Sequence, residues 1–245
     1  MHTSLWAQEP LELSIIPKSI DIGTFYNGTD INISGKIPDD CEIVGVFTGD
    51  RNILHLKEKG KALGLLWMNL NTLTFNNVPS VFLVSSQKRI EDMTVQNEDE
   101  NLNVKNAGFA GLSKLITVES EESDPRISVE KLFNLKKREE LYQEQTGNIS
   151  YTAPIQGYKS FSMKIYIPSR LSPGDYMVNV YSVRNGQIIG HAEKSVEAGL
   201  TGIPAFLATL AFDHSLMYGI FATIIAIAGG LVIGYVFQGA KGGAH

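Results

Sequence analysis

The chain has 245 residues, with 21 Lys and Arg against 26 Asp and Glu, for a net charge of −5. This mild acidity excludes the strongly basic face that nucleic-acid binding requires. Cys41 is the one cysteine, which excludes an internal disulfide and a cysteine-based zinc centre, so the folded part is stabilised by burial.

Residues 1–10 begin MHTSLWA and turn polar at Gln8-Glu9. Two readings stay open: an ordinary terminus, or the tail of a secretory signal cleaved after Ala7. Residues 11–88 read as β-structure. Leu11, Leu13 and Ile15 alternate with Glu12 and Ser14, and Ile31, Ile33 and Gly35 alternate with Asn32 and Ser34. Ile43-Val44-Gly45-Val46-Phe47 and Val81-Phe82-Leu83-Val84 are short apolar runs rich in β-branched residues. Turn residues separate them at Tyr26-Asn27-Gly28, Pro38-Asp39-Asp40, Thr48-Gly49-Asp50 and Asn76-Asn77. Short strands with frequent turns predict a sandwich or barrel. Leu65-Leu66-Trp67-Met68 is dense in apolar area and reads as a core strand. If it stays exposed, Trp67 and Met68 are the candidate partner surface.

Residues 89–147 change character. Acidic, polar stretches at 98–100 and 119–124 read as solvated loops, with a short helix between them over 107–116. Asp124-Pro125 starts a second helix, as an N-cap followed by Pro at the first helical position. Its apolar face holds Ile127, Val129, Leu132, Phe133, Leu135, Leu141 and Tyr142, and Gly147 ends it. Residues 148–198 return to β-structure. Phe161, Met163, Ile165 and Ile167 alternate with polar or half-polar neighbours. Tyr176, just after Pro173-Gly174, resembles the tyrosine corner of immunoglobulin-like sandwiches, in which the hydroxyl bonds back to nearby backbone. Asn185-Gly186 marks a type I′ hairpin, whose second strand runs from Gln187 to Val196. The fold class is mainly β: one or two immunoglobulin-like sandwiches with a helical insertion.

Residues 199–215 are juxtamembrane in character, with Pro204 opening an apolar segment suited to lie in a bilayer interface. Residues 216–237, LMYGIFATIIAIAGGLVIGYVF, hold no charged residue, no His and no Asn or Gln. At about 1.5 Å per residue they span roughly 30 Å, the thickness of a bilayer's hydrocarbon core. Within them Ala222, Ala226, Gly230 and Gly234 recur every four residues. Small residues on one helix face allow a second helix to approach closely, so these four are the candidate helix-packing residues. Residues 238–245 form a short tail with Lys241, a weak positive-inside signal.

No catalytic or metal-binding residues are assigned. His2, His55, His191, His214 and His245 form no HExxH or other ligand spacing. Gly-x-Ser-x-Gly and P-loop patterns are absent from the sequence. Asp39, Asp40 and Asp50 are calcium candidates by type, although turn aspartates ordinarily satisfy backbone donors. No cofactor is expected, and the expected partners are the lipid bilayer and another membrane subunit or a second copy.

Gly60-Lys61-Ala62-Leu63-Gly64-Leu65-Leu66-Trp67-Met68-Asn69, Val78-Pro79-Ser80 and Val84-Ser85-Ser86 resemble the first half of a transmembrane protein family named from alphaproteobacteria. Glu140-Leu141-Tyr142, Ile165-Tyr166-Ile167-Pro168, Pro173-Gly174-Asp175-Tyr176, Leu216-Met217-Tyr218-Gly219 and Gly234-Tyr235-Val236-Phe237 resemble its second half. The family's usual arginines after the last Phe are replaced here by Gln238-Gly239-Ala240-Lys241. The resemblance implies a bacterial envelope protein, exported by a signal peptide and anchored by its C-terminal helix. The first expectation is a non-enzymatic accessory or assembly subunit of a membrane complex in a bacterial inner membrane; the signal-like start, the single span and Lys241 place the β domain in the periplasm and the C-terminus in the cytoplasm. An association of some members with sulfite-exporter-type permeases raises an alternative, a periplasmic ligand-binding or sensory module beside a transporter.

Overall fold

In a computed structural model the chain is mainly β, with helices inserted between strands and a long apolar helix near its C-terminus. The structure describes residues 12–62, 65–93, 102–119 and 125–238. Two compact units divide it: one holds most strands and the inserted helices, and the other holds residues 21–25 and the chain from Leu200 onward.

In the first unit, two sheets face each other. The smaller joins β1 (Leu13–Ile16), β3 (Thr29–Pro38), β11 (Tyr158–Ile167) and β10 (Ile149–Tyr151) in the order β1-β3-β11-β10. The larger is built from β2 (Ser19–Ile22), β13 (Gln187–Leu200), β12 (Gly174–Arg184), β4 (Glu42–Gly49), β7 (Phe82–Ser86) and β9 (Tyr142–Thr146), in that order across the sheet. Strands from before and after the helical insertion therefore share both sheets: β3 pairs with β11 and β4 with β12.

Burial explains which strands alternate. β11 buries Phe161, Met163, Ile165 and Ile167 and exposes the residues between them. Its sheet has one wet face, which selects period two. β4 and β7 are instead buried on both faces. Phe47 and Ile43 face the small sheet side, while Val44 and Val46 belong to a second core with Phe75, Phe82, Leu132, Phe133 and Tyr142. A strand covered on both sides reads as a continuous apolar run, as it does from Ile43 to Phe47. The sheets approach closely at Gly45, where a Cβ would collide with the Met163 thioether of the opposite sheet.

The second core is closed by α1 (Phe109–Leu115) and α2 (Pro125–Arg138). Phe109, Phe133, Phe82 and Tyr142 form a ring cluster with centroids 5.6–6.2 Å apart. The buried Tyr142 hydroxyl donates to the Pro79 carbonyl at 2.8 Å, which satisfies a phenol that would otherwise be costly to bury.

Three expectations change here. The helix expected to run from Asp124 to Thr146 ends at Arg138, and Tyr142–Thr146 is strand β9, parallel to β7. Asp124 itself lies outside the described residues, as do the acidic loop residues 98–100 and 120–124. Glu140 has φ 63°; Leu141 N–H donates to the Lys136 carbonyl and Glu140 N–H to the Lys137 carbonyl, both at 3.0 Å. This is a Schellman ending with Glu in the position where Gly is usual. Gly147, with φ 80°, instead turns β9 into β10. Asn76-Asn77, read as a turn, lies inside a strand as a bulge with Asn77 at φ 65°. The stretch expected to form a core strand around Trp67 forms the far end of a hairpin, β5 (Arg51–Ala62) and β6 (Leu66–Pro79), joined at the other end of β6 by β8 (Thr117–Glu119).

Other expectations hold at atomic detail. The Tyr176 hydroxyl donates to the Ser172 carbonyl at 2.6 Å, the back-bond expected of a tyrosine corner. Asn185 and Gly186 both have positive φ, as a type I′ turn requires. β13 continues four residues past the expected end at Val196.

Candidate functional site

In the second unit, α3 (Ile203–Phe212) and α4 (Ser215–Gln238) follow one another across Asp213-His214. Pro204 sits in the first turn of α3, where a missing N–H leaves no hydrogen bond unmade. Asp213 closes α3, and its N–H donates to the Thr209 carbonyl at 2.9 Å. Phe206, Leu207 and Phe212 are exposed. An apolar helix of this length beside a span suits the headgroup boundary.

In α4, Ser215–Phe237 is a candidate span of 23 residues with mean hydropathy 2.4 and no buried residue. Thr223 Oγ1 donates to the Gly219 carbonyl at 2.8 Å, so its hydroxyl is satisfied within the helix, as lipid demands. Ala222, Ala226, Gly230 and Gly234 lie on one exposed face at i, i+4 spacing. A Cβ placed on Gly230 or Gly234 meets nothing within 4 Å, so the backbone is open there to close approach.

The far end of the β5–β6 hairpin is a second exposed apolar feature among the described residues. Leu65 is 85% exposed, Leu66 69% and Met68 50%. The Trp67 side chain lies outside what the structure describes; its backbone pairs with Lys61. Nearer the body, Leu54, Leu56, Leu73 and Phe75 turn the hairpin's inner face into the second core. α2 reaches the hairpin through Lys131, whose Nζ lies 2.6 Å from Glu58 Oε1. Past that pair the same inner face continues uncovered through Met68 and Leu66, which stand opposite Gly60 and Ala62. The sequence reading favoured a core strand here, with exposure of Trp67 and Met68 as the other reading, because apolar density does not say whether a strand outruns its core. The lysines at 57, 59 and 61 were the available signal, since every second residue of β5 is basic there.

Several titratable groups are engaged by neighbours. The calcium candidate Asp40 is engaged by Arg184, with Nε 2.6 Å from Oδ2, and this guanidinium holds its carboxyl below the usual range. The buried Cys41 thiol donates to Asp40 Oδ1 at 3.3 Å, and burial pushes its pKa up to about 11. A thiol kept protonated is a poor nucleophile. His191 stacks on Tyr181 and lies 3.0 Å from Asn179 Oδ1, while His55 pairs with Thr74. Among the described residues, no three His, Cys, Asp or Glu side chains are placed to hold a metal ion.

A β-rich domain carrying an unburied apolar helix of bilayer length defines a membrane-anchored protein. The chain belongs to the family described as "Putative transmembrane protein", whose model matches residues 10–239. No curated protein matches it.

Proposed function

We propose that this is a non-enzymatic, single-pass protein of a bacterial inner membrane, acting as an accessory or assembly subunit of a membrane complex. The β domain faces the periplasm and the residues after α4 face the cytoplasm. The observation that carries the reading is the span: an unburied helix whose small residues at 222, 226, 230 and 234 share one face. Lipid is as apolar as Leu, so membrane insertion alone does not call for such a face, whereas helix packing does. The partner helix belongs to another subunit or to a second copy.

Extraction in mild detergent followed by mass spectrometry of co-purifying proteins tests this. The paired change Gly230→Leu with Gly234→Leu keeps the span apolar, so the amount in the membrane stays level. Lost packing weakens association by on the order of 1–3 kcal/mol, while Ile225→Leu is nearly silent. Association unchanged in the double variant sinks the packing role. A solitary protein whose melting temperature rises with a small anion favours the alternative, a ligand-binding or sensory module serving a transporter.

A further inference from the structure

We propose that the far end of the β5–β6 hairpin is a lipid-binding tip that inserts Leu65, Leu66 and Met68 into an anionic bilayer surface. The inference rests on the protein being membrane-anchored, and not on its being a complex subunit.

The apolar side chains come first. Leu65, Leu66 and Met68 are all at least half exposed at the end of a two-stranded ribbon. Leu66 and Met68 continue the inner face that nearer the body packs Leu54, Leu56, Leu73 and Phe75 into the second core, and Leu65 stands in the turn beside them. Exposed apolar surface of this kind marks a contact site. Charge then selects the contact. Lys57 and Lys59 are exposed on β5, and Lys61 follows at the same spacing. The acidic residue among them, Glu58, is turned to Lys131 of α2, so the tip presents a positive balance. Apolar residues flanked by lysines match a surface with an apolar interior and anionic headgroups.

Two other occupants fit less well. A stable protein interface buries about 800 Å² on each partner, and three side chains at the end of a ribbon offer far less. Strand-to-strand pairing with a second copy is opposed by the lysines along β5, an edge strand of its sheet, because charge along an edge blunts such pairing. A bilayer needs no complementary shape.

The test uses the full chain in nanodiscs, carrying Leu66→Cys in a Cys41→Ala background and labelled with an environment-sensitive fluorophore. Discs of phosphatidylcholine alone are compared with discs holding a quarter phosphatidylglycerol, each with and without doxyl-labelled lipid. Vesicles of the same two compositions are added to unquenched discs, so that contact with a second membrane is also read. The expected result is a blue shift with doxyl quenching, in the disc's own bilayer or in the added vesicles, strongest with the anionic lipid. Lys57→Gln and Lys59→Gln each weaken the anionic response roughly fivefold, and Leu65→Ser with Met68→Ser removes it, while all variants keep the parent melting temperature. An unshifted probe in both arms overturns the proposal. So does a blue shift without doxyl quenching, which identifies a protein contact, or quenching that ignores lipid charge. The Gly230→Leu, Gly234→Leu pair leaves the tip signal intact, so the tip and the helix face fail or succeed separately.

Discussion

At the scale of single residues, two positions behave against their type. Cys41 is fully buried beside Asp40, and its pKa rises from 9.0 to about 11. The folded state thus holds its proton more tightly than the unfolded state does. Its contribution to stability is complete below pH 9 and is lost as pH rises through about 11; the loss is on the order of 2 kcal/mol. Urea unfolding between pH 8 and 11 is expected to show this decline, and Cys41→Ala to lessen it. An equal slope in both proteins refutes the assignment. Glu140 is the second position, a non-glycine residue at φ 63°. Glu140→Val places a β-branched side chain in the left-handed region and costs on the order of 1–2 kcal/mol. Glu140→Gly is tolerated or slightly stabilising, since Gly has no Cβ to strain there. Unfolding midpoints of the two variants on opposite sides of each other, with Val lower, are the expected reading.

At the scale of elements, α1 depends on one close approach. Gly111 is buried, and a Cβ on it would collide with the backbone of Asn106, in the 3₁₀ turn Val104–Ala107 that precedes the helix. Backbone cannot rotate away as a side-chain tip can. Gly111→Ala is therefore expected to cost about 1–3 kcal/mol, in the manner of overpacking. The loss should appear as a lower urea midpoint together with weaker near-ultraviolet signal from the cluster of Phe82, Phe109, Phe133 and Tyr142, because α1 supplies Phe109 to it. An unchanged midpoint shows that α1 can shift without cost. Gln145 ties elements together differently. Its side chain accepts from Tyr166 N–H and donates to the Tyr166 carbonyl, both at 3.2 Å, so a side chain on β9 completes hydrogen bonds that β11 would otherwise lack at its edge.

At the scale of the molecule, the proposed orientation makes Ser169 extracytoplasmic. Ser169 is exposed, in the turn after β11. Ser169→Cys in a Cys41→Ala background is expected to react with a membrane-impermeant maleimide in intact spheroplasts. Labelling that requires lysis reverses the orientation. Net charge is little help with this question, because Lys241 is the one basic residue after the span and a single lysine biases orientation weakly.

The sequence by itself determined the features that depend on local chemistry. The charge-free run after His214 specified the span, since no neighbour is needed to make that segment prefer lipid. Alternation specified β11, and Asn185-Gly186 specified the β12–β13 hairpin, because period and positive φ are properties of adjacent residues. Tyr176 was legible for the same reason: its acceptor, Ser172, is four residues away. Tertiary structure decided what depends on distant partners. Leu141 and Tyr142 continue the helical period of α2, yet Tyr142 lies in β9, where it gains a ladder with Phe82 and an acceptor at Pro79. The helix-packing face was readable at residues 222–234 as a spacing. The hairpin tip was readable only as apolar density, because whether Leu66 and Met68 are core or surface depends on where α2 stops covering the sheet, and no local pattern encodes that distance.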